Sequence, residues 1–414
     1  MSRTVYVIGA GLAGLSAAVA LAGRGERVVV LEAAAQAGGR CRSYLDRQLG
    51  MTIDNGNHLV LSGNRAVQDY LAEIGSSGCL VGPETADIAF ADLQSGERWT
   101  LRPNEGPLPW WIFDPARRTP GTGAADYLPL ARLFHPPAGR RIDEVVACRG
   151  PVWRRLLHPF LLAVLNTEPE AGSAELAAAV IRETLGRGGA ACRPRIASPT
   201  LAAAFVDPAL AYLARRGGQV RLGQRVRALG FEGARLARLE GADEALAQGD
   251  VAILAVPPWV AQDLLPGLQA PDEFRGILNA HFKTPAPAGA EPLVSLIGAT
   301  AEWVFAFEDR LSVTISAADR LLDMDRESLA RQLWADVARL HGLPAALPPW
   351  QIVKEKRATF AATPAQNAKR PGARTRWPNL VLAGDWTATG LPATIEGALR
   401  SGRTAADLIA AHAS

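Results

Sequence analysis

Residues 4–32 constrain the fold of this chain more than any other stretch. A short apolar run ends in glycines, and an Ala- and Leu-rich segment then leads to a second apolar run that stops at Glu32. The spacing of Gly9, Gly11 and Gly14 is G-x-G-x-x-G, which is a weak signal when it stands alone. Here it lies between a predicted strand and a predicted helix, with an acid at the end of the next strand. This context predicts a βαβ unit that binds a dinucleotide.

Each residue of this motif has a physical reason to be there. Gly9 permits the tight turn, Gly11 lets the backbone approach a pyrophosphate, and Gly14 lets the helix pack on the strand. The free N–H groups and the dipole at a helix N-terminus favour a phosphate. Glu32 can accept hydrogen bonds from a ribose but disfavours a 2′-phosphate, which argues against NADP at this site. The alternative, a glycine-rich turn in a helical core, explains less of the pattern.

The composition excludes several other classes of protein. The 414 residues suffice for two or three domains, and a net charge of +3 without a basic run gives no reason to expect a nucleic-acid partner. The four cysteines include no C-x-x-C pair, so neither a metal site nor a redox dithiol is indicated. No apolar run approaches the roughly 18 residues that a membrane-spanning helix needs. We therefore predict a cytoplasmic protein, with peripheral contact at the inner face of the membrane left open.

Later segments predict the rest of the architecture. Gly38-Gly39-Arg40 would bring backbone and a guanidinium close to a phosphate, and residues 53–61 predict a polar turn that includes His58. The apolar stretch 250–257 is typical of a strand covered on both faces. Further predicted strands lie at 293–297, 303–307 and 311–315, and another runs from residue 380 to a Gly-Asp pair at 384–385. Predicted helices lie at 128–133, 142–149, 174–185, 328–341 and 398–411.

This arrangement resembles the FAD-dependent amine oxidase and phytoene desaturase superfamily. The resemblance is carried by the N-terminal glycine motif with Glu32, by Gly38-Gly39-Arg40, and by a C-terminal strand that ends in Gly384-Asp385. Within the superfamily, five segments resemble the hydroxysqualene dehydroxylases, a family of squalene-associated FAD-dependent desaturases in bacterial hopanoid synthesis. Those segments are 54–64, 161–174, 205–213, 355–366 and 382–402, and together they span nearly the full length.

The resemblance implies an α/β fold in which two domains are interleaved. A Rossmann-like FAD-binding domain of the glutathione-reductase type would take residues 1–85, 206–262 and 356–414. A substrate-binding domain, built from a mixed sheet and helices, would take residues 86–205 and 263–355.

The resemblance also implies a cofactor, FAD, and the residues that hold it. Pyrophosphate would lie on the three N-terminal glycines with Gly39 and Arg40, and Glu32 would bind the AMP ribose. Val226 would bind adenine through its backbone, while Gly384 and Asp385 would contact the ribitol or the pyrophosphate. Thr394 and Ile395 would place a helix N-terminus at the pyrimidine edge, where it stabilises the negative charge of reduced flavin. An ordinary helix start is the alternative for this last segment.

The implied substrate is a C30 isoprenoid alcohol with an allylic hydroxyl. Its reduction to squalene would require a proton for the leaving hydroxyl, an apolar tunnel around an allylic cation, and a hydride from reduced flavin. The sequence has no second G-x-G-x-x-G. The electrons would therefore come from NAD(P)H that docks briefly or from a separate reductase.

The sequence also offers candidates for catalytic residues and for residues that line the substrate tunnel. His58 is the first catalytic candidate, with a structural histidine at the turn as an equally good interpretation; Lys283 and Lys354 follow. Tunnel candidates are large apolar side chains, for which plain core is the alternative. They are Trp110, Trp111, Phe113, Phe160, Leu161 and Leu165. The tryptophan pair, which follows a proline, would also suit a lipid interface.

Three rival functions use the same scaffold. A polyene desaturase would move electrons in the opposite direction, and an amine oxidase would release hydrogen peroxide. A prenyl-lipid-binding escort protein of the same fold would hold no flavin. The intact Glu32, Arg40 and Asp385 argue against that last alternative.

Overall fold

The computed structural model describes residues 3–411. Its helices in that range are α1 Leu12–Gly23, α2 Arg65–Ile74, α3 His158–Leu165, α4 Ala174–Glu183, α5 Asp207–Arg215, α6 Pro258–Leu264, α7 Arg326–His341, α8 Pro364–Ala368 and α9 Ile395–Ala411. Its strands are β1 Thr4–Ile8, β2 Arg27–Glu32, β3 Ser43–Asp46, β4 Met51–Asp54, β5 Leu59–Leu61, β6 Leu80–Val81, β7 Ile88–Asp92, β8 Arg98–Leu101, β9 Pro194–Ala197, β10 Gln219–Leu222, β11 Ala228–Glu232, β12 Arg235–Glu240, β13 Glu244–Ala245, β14 Val251–Leu254, β15 Phe274–Phe282, β16 Leu293–Ile297, β17 Trp303–Ala306, β18 Leu311–Ile315, β19 Trp350–Phe360 and β20 Leu380–Leu382.

A five-stranded parallel sheet, in the order β10-β2-β1-β14-β20, joins distant parts of the chain. All five residues of β1 are buried, because side chains on both faces are covered. One face packs on α1, α5 and α9. The other face packs on the antiparallel strands β11 and β12 and on an apolar layer that includes α3. This is the arrangement that a βαβ-based nucleotide domain requires.

A second sheet has seven strands in the order β19-β15-β18-β17-β16-β7-β8. It is mixed, since β16 pairs with β7 in parallel and the other neighbours are antiparallel. Helix α7 covers one face, where Leu329 and Leu333 pack against Leu278 and Ala280. The alternate residues of β15, such as Asn279, therefore face the rest of the molecule.

The predicted fold class, a Rossmann-like domain interleaved with a mixed-sheet domain, is confirmed. The five strands of the parallel sheet fall within the segments 1–85, 206–262 and 356–414. Strand β19, by contrast, crosses the predicted boundary between 355 and 356. The domain boundaries themselves stay predictions.

Two predicted helices are wrong in type. Residues 142–149 form only a single 3₁₀ turn, Ile142–Glu144, which ends well before Gly150 at a φ of +88°. Residues 128–133 lie inside a 3₁₀ stretch, Ala124–Phe134, that contains Pro129. Proline has no N–H to donate and clashes with the preceding turn, so an α-helix is unfavourable there. The strands predicted at 293–297 and 311–315 are confirmed with the same bounds.

Candidate active site

The N-terminal glycine turn has the geometry of a pyrophosphate cradle. Gly9 has a φ of +108°, and a Cβ there would lie 2.5 Å from the carbonyl oxygen of Ala255. A Cβ on Gly14 would overlap the carbonyl oxygen of Gly9. A Cβ on Gly11 would meet no protein atom within 4 Å, so the space in front of α1 is open on that side. Gly9 and Gly14 thus serve close packing, and Gly11 leaves room for a ligand at the helix N-terminus.

A second glycine loop packs directly on this turn. The N–H of Gly38 donates to the carbonyl oxygen of Ala10 at 2.8 Å, and the two segments form an isolated parallel bridge between Gly11 and Gly38. Gly39 has a φ of +56°, and its Cβ position is 3.3 Å from the Cα of Gly11. Glycines at 38 and 39 therefore allow the two backbones to meet at the open side of the cradle.

Arg40 joins this loop to the C-terminal end of the chain. One Nη donates to the Asp385 carboxylate at 2.7 Å and the other to the carbonyl oxygen of Ala358 at 2.5 Å. Asp385 is buried, whereas the Arg40 side chain is 44% exposed. A guanidinium has five N–H donors, so these two bonds leave others to meet a phosphate.

Glu32 lies at the end of β2, beside the cradle. Its two carboxylate oxygens accept from the N–H groups of Ala10, at 2.7 Å, and Ala34, at 2.8 Å. Each oxygen has a second lone pair, which suits the hydroxyls of a ribose. Val226 is buried. It lies near Glu32, because the N–H of Gln224, two residues earlier, donates to the Glu32 carbonyl oxygen.

The C-terminal helix enters the same groove. The N–H of Gly384 donates to Ser401 Oγ at 2.7 Å, which fixes the end of β20 on α9. Thr394 accepts from the N–H of Gly397 at 3.0 Å and so caps α9. Gly402 is pressed against α1, where a Cβ would overlap the carbonyl oxygen of Ala13.

The positions of the glycine cradle and of the start of α9 suit the two parts of one extended dinucleotide. Ile395 precedes Gly402 by seven residues, so the start of α9 lies about 10 Å along its axis from the contact with α1. The N-terminus of α1 lies at the glycine cradle, and the N-terminus of α9 lies about two turns before the contact between the two helices. A pyrophosphate at the first and an electron-rich flavin edge at the second would both be stabilised by helix dipoles. The donor set therefore fits FAD.

His58 lies on the turn that borders this groove. Asn57 and Gly56 hold the turn against the seven-stranded sheet: the N–H of Asn57 donates to Asn279 Oδ1 at 3.2 Å, and a Cβ on Gly56 would be 2.9 Å from Asn279 Nδ2. Burial lowers the pKa of His58 to about 4, and the positive charge of Arg40 adds to the effect. The imidazole is therefore neutral at pH 7.

The two lysine candidates lie elsewhere. Lys354 pairs with Leu278 across β15 and β19, which puts it on the face covered by α7, and its amine donates to the carbonyl oxygens of Leu322 and Met324. Lys283 is exposed beyond the end of β15 and donates to the carbonyl of Leu49 at 2.8 Å. It lies roughly 20 Å along the sheet from the end of β19 that Arg40 contacts. Neither lysine is brought together with Arg40, and their catalytic roles stay predictions.

Four of the six predicted tunnel residues lie in one apolar layer. Trp111, Leu161 and Leu165 are buried in it, and Phe160 packs against it half-buried. The same layer includes Ile8, Leu31 and Trp386, which belong to the parallel sheet and its C-terminal loop. Trp110 and Phe113 differ: they are 64% and 62% exposed and do not belong to this layer.

Two polar groups of the groove were missed from the sequence. Glu355 accepts from Asn55 Nδ2 at 3.2 Å, on the face of β19 opposite to Lys354. Arg370 is buried and donates to the carbonyl oxygens of Asp385 and Thr387. Successive residues of a strand face opposite sides, and this alternation could have indicated that Glu355 faces away from Lys354 on β19. The sequence offered no comparable indication for Arg370.

Comparison with known proteins places this geometry in a family. A family model described as flavin containing amine oxidoreductase matches residues 12–410. A hydroxysqualene dehydroxylase from Rhodopseudomonas palustris is 54% identical over 414 residues, covering 99% of both chains. Another from Sinorhizobium fredii is 52% identical and covers 99% of this chain and 98% of that one. The chain belongs to the hydroxysqualene dehydroxylase family.

The family is one of flavin-dependent oxidoreductases, and solved structures share its fold. Cyclohexylamine oxidase from Brevibacterium oxydans superposes with a TM-score of 0.72 at 17% identity, covering 100% of both chains. A putative protoporphyrinogen oxidase from Exiguobacterium gives a TM-score of 0.69 at 16% identity, covering 100% of this chain and 99% of that one. At such identities the likeness concerns the fold alone. The family model and the two relatives show that the chain is a flavin-dependent oxidoreductase of the amine oxidase superfamily.

Proposed function

We propose that this protein removes the hydroxyl group of hydroxysqualene reductively, giving squalene for hopanoid biosynthesis with FAD as the cofactor. The observation that carries the proposal is that Arg40, next to the glycine cradle, contacts Asp385, and that Trp386, the next residue, belongs to the apolar layer. The names of the relatives support the same substrate.

The reaction replaces a C–O bond by a C–H bond. The hydroxyl leaves with a proton as water, and a hydride arrives at the carbon that it has left. The hydride would come from reduced FAD held by the glycine cradle, Arg40 and Asp385, and the proton that leaves with the hydroxyl would come from solvent. The chain's contribution is to hold the allylic carbon at the groove, and to keep water from the developing cation with the apolar side chains of Trp111, Leu161 and Leu165.

His58 is proposed as the polar group that meets the hydroxyl. Because its pKa is about 4, it is neutral at physiological pH and orients the hydroxyl through a hydrogen bond. Electrons for the cofactor come, in this proposal, from NAD(P)H or from a separate reductase. The substrate has negligible solubility in water, so peripheral contact with a membrane belongs to the same proposal.

The test is a single turnover without oxygen. Purified holoenzyme is photoreduced, hydroxysqualene is added in detergent, and flavin absorbance and squalene are followed together. We expect the flavin to reoxidise with one squalene formed per flavin. Flavin that stays reduced would overturn the proposal, and oxidation of squalene by the oxidised enzyme would favour the desaturase alternative.

A matched pair of variants locates the chemistry. His58→Gln should slow flavin reoxidation by about 100-fold, in the range typical of a positioned polar group, with flavin content retained. His135→Gln, at an exposed histidine just after the 3₁₀ stretch that ends at Phe134, should leave the rate unchanged. Equal rates for both variants would exclude His58 from the reaction.

A further inference from the structure

Four large apolar side chains project from one short region of the surface. We call them the aromatic surface: Leu108, Trp110, Phe113 and Leu128, which are 62–69% exposed. The rings of Trp110 and Phe113 lie 6.1 Å apart on one 3₁₀ turn, Trp110–Phe113. Contiguous exposed apolar groups are unfavourable in water, so a surface of this kind indicates a contact.

Buried neighbours hold these side chains outward. Asn104 clamps the turn: its Oδ1 accepts from the N–H of Trp111 at 3.1 Å, and its Nδ2 donates to the carbonyl of Leu108 at 2.9 Å. The ring of Trp111 packs edge-on against Tyr127, with centroids 5.3 Å apart, and so fixes the residue before Leu128. The exposure is therefore a property of an anchored turn.

Three arginines border the aromatic surface. Arg117, Arg118 and Arg132 lie within or beside this region, and none of them has a described ion pair in residues 3–411. Two carboxylates also lie in this region: Asp114 accepts from the N–H of Ala116 and Asp126 from that of Gly123. Guanidinium groups beside apolar rings match a surface of phosphates over hydrocarbon.

The aromatic surface is also continuous with the interior. Trp111 and Tyr127, which support it, belong to the same buried layer as Leu161 and Leu165. A hydrocarbon chain that left a bilayer at this surface would meet apolar side chains next. No helix in the described part of the chain is long and apolar enough to cross a bilayer.

We propose that the aromatic surface docks the protein on an anionic phospholipid bilayer, with Trp110, Phe113, Leu108 and Leu128 in the interface and the arginines on the headgroups. Tryptophan and leucine next to basic groups are typical of interfacial segments. The inference rests on the proposed function for its purpose, which is to take up a water-insoluble substrate, but its test does not depend on turnover.

The test is flotation of the holoenzyme with two kinds of vesicle, phosphatidylcholine alone and phosphatidylcholine with phosphatidylglycerol. We expect binding to the anionic vesicles that weakens with salt, and a fall of about tenfold in the partition coefficient for a Leu108→Ser, Phe113→Ser double variant. The control is a Leu45→Ser, Val81→Ser double variant, which removes apolar groups that are exposed elsewhere. Retained flavin absorbance shows that each variant is folded.

Three outcomes overturn the proposal. The wild-type protein does not float with anionic vesicles, both double variants float equally well, or the aromatic surface instead mediates self-association that the Leu108→Ser, Phe113→Ser change abolishes. Flavin reoxidation with substrate in detergent is measured in parallel on the wild-type protein. If the wild-type protein floats with anionic vesicles but its flavin is not reoxidised by the substrate, the proposed function is contradicted and the docking proposal is not.

Discussion

Arg40 shows how much of the site depends on a single side chain. It contacts Asp385 from the C-terminal strand and the carbonyl of Ala358 from the seven-stranded sheet. It also acts electrostatically on His58. The sequence could indicate Arg40 through its local Gly-Gly-Arg motif. It could not indicate that Asp385, 345 residues later, would be the partner, because that contact depends on the tertiary structure.

Another residue, His281, is buried completely in the seven-stranded sheet. Its Nδ1 lies 2.9 Å from Ser312 Oγ. Burial lowers its pKa to about 3, and the nearby positive charge of Arg310 adds to the effect, whereas Asp46 and the Asp54 backbone oppose it. In an unfolded chain a histidine titrates near 6.5. The unfolded state therefore binds more protons than the folded state between these two values.

This difference predicts a pH dependence of stability. The contribution of His281 is fully present above pH 6.5, and the free energy of unfolding should fall as the pH decreases toward 3, by about 1.4 kcal/mol per pH unit. The measurement is urea unfolding at several pH values for the wild-type protein and for His281→Gln. The variant should have a shallower slope by that amount, while His135→Gln should keep the wild-type slope. Equal slopes for His281→Gln and wild type would contradict this account of the buried imidazole.

Among elements, helices α1 and α9 are the pair that shapes the groove. Gly402 lets their backbones meet at Ala13, and Ser16 Oγ donates to the carbonyl of Leu399 at 2.8 Å. The position of the α9 N-terminus relative to the glycine cradle follows from this contact. A change in helix spacing should therefore affect both stability and cofactor binding.

Gly402→Ala tests that relation. The added methyl group would overlap the Ala13 carbonyl, and overpacking of this kind costs about 1–3 kcal/mol. We expect a lower midpoint of thermal unfolding and weaker FAD binding in titrations of the apoprotein. Gly78→Ala, at an exposed glycine with no atom near its Cβ position, should change neither. If the Gly402→Ala protein were less stable but bound FAD with normal affinity, the contact between α1 and α9 would not determine cofactor binding, which would contradict this relation.

The elements also show where sequence patterns suffice. The first βαβ unit was predictable because its strand, glycines and helix are adjacent in the chain. The side of the sheet that Lys354 occupies was not, because it depends on the register between β15 and β19. Likewise, one of two adjacent tryptophans is buried and the other exposed. The sequence shows no difference between them, since the packing of Tyr127 on Trp111 decides it.

For the whole molecule, the main result is that the two ends of the chain meet. β1 and β20 flank β14 in one parallel sheet, and α1 and α9 cover the same face. The carboxyl ends of parallel strands lie at one edge, where a dinucleotide binds in folds of this type. The insertions between these segments supply the second sheet and the apolar layer. The groove between them is therefore formed by residues from the whole length of the chain.

The most direct test is a crystal structure of the purified protein with its FAD. The account predicts the pyrophosphate at the N-terminus of α1, within hydrogen-bond distance of Gly11 N–H and Arg40. It also predicts the pyrimidine edge of the flavin at Thr394 and Ile395, beside the apolar layer. A flavin bound elsewhere, or a protein that purifies and crystallises without one and does not take it up, would contradict the account.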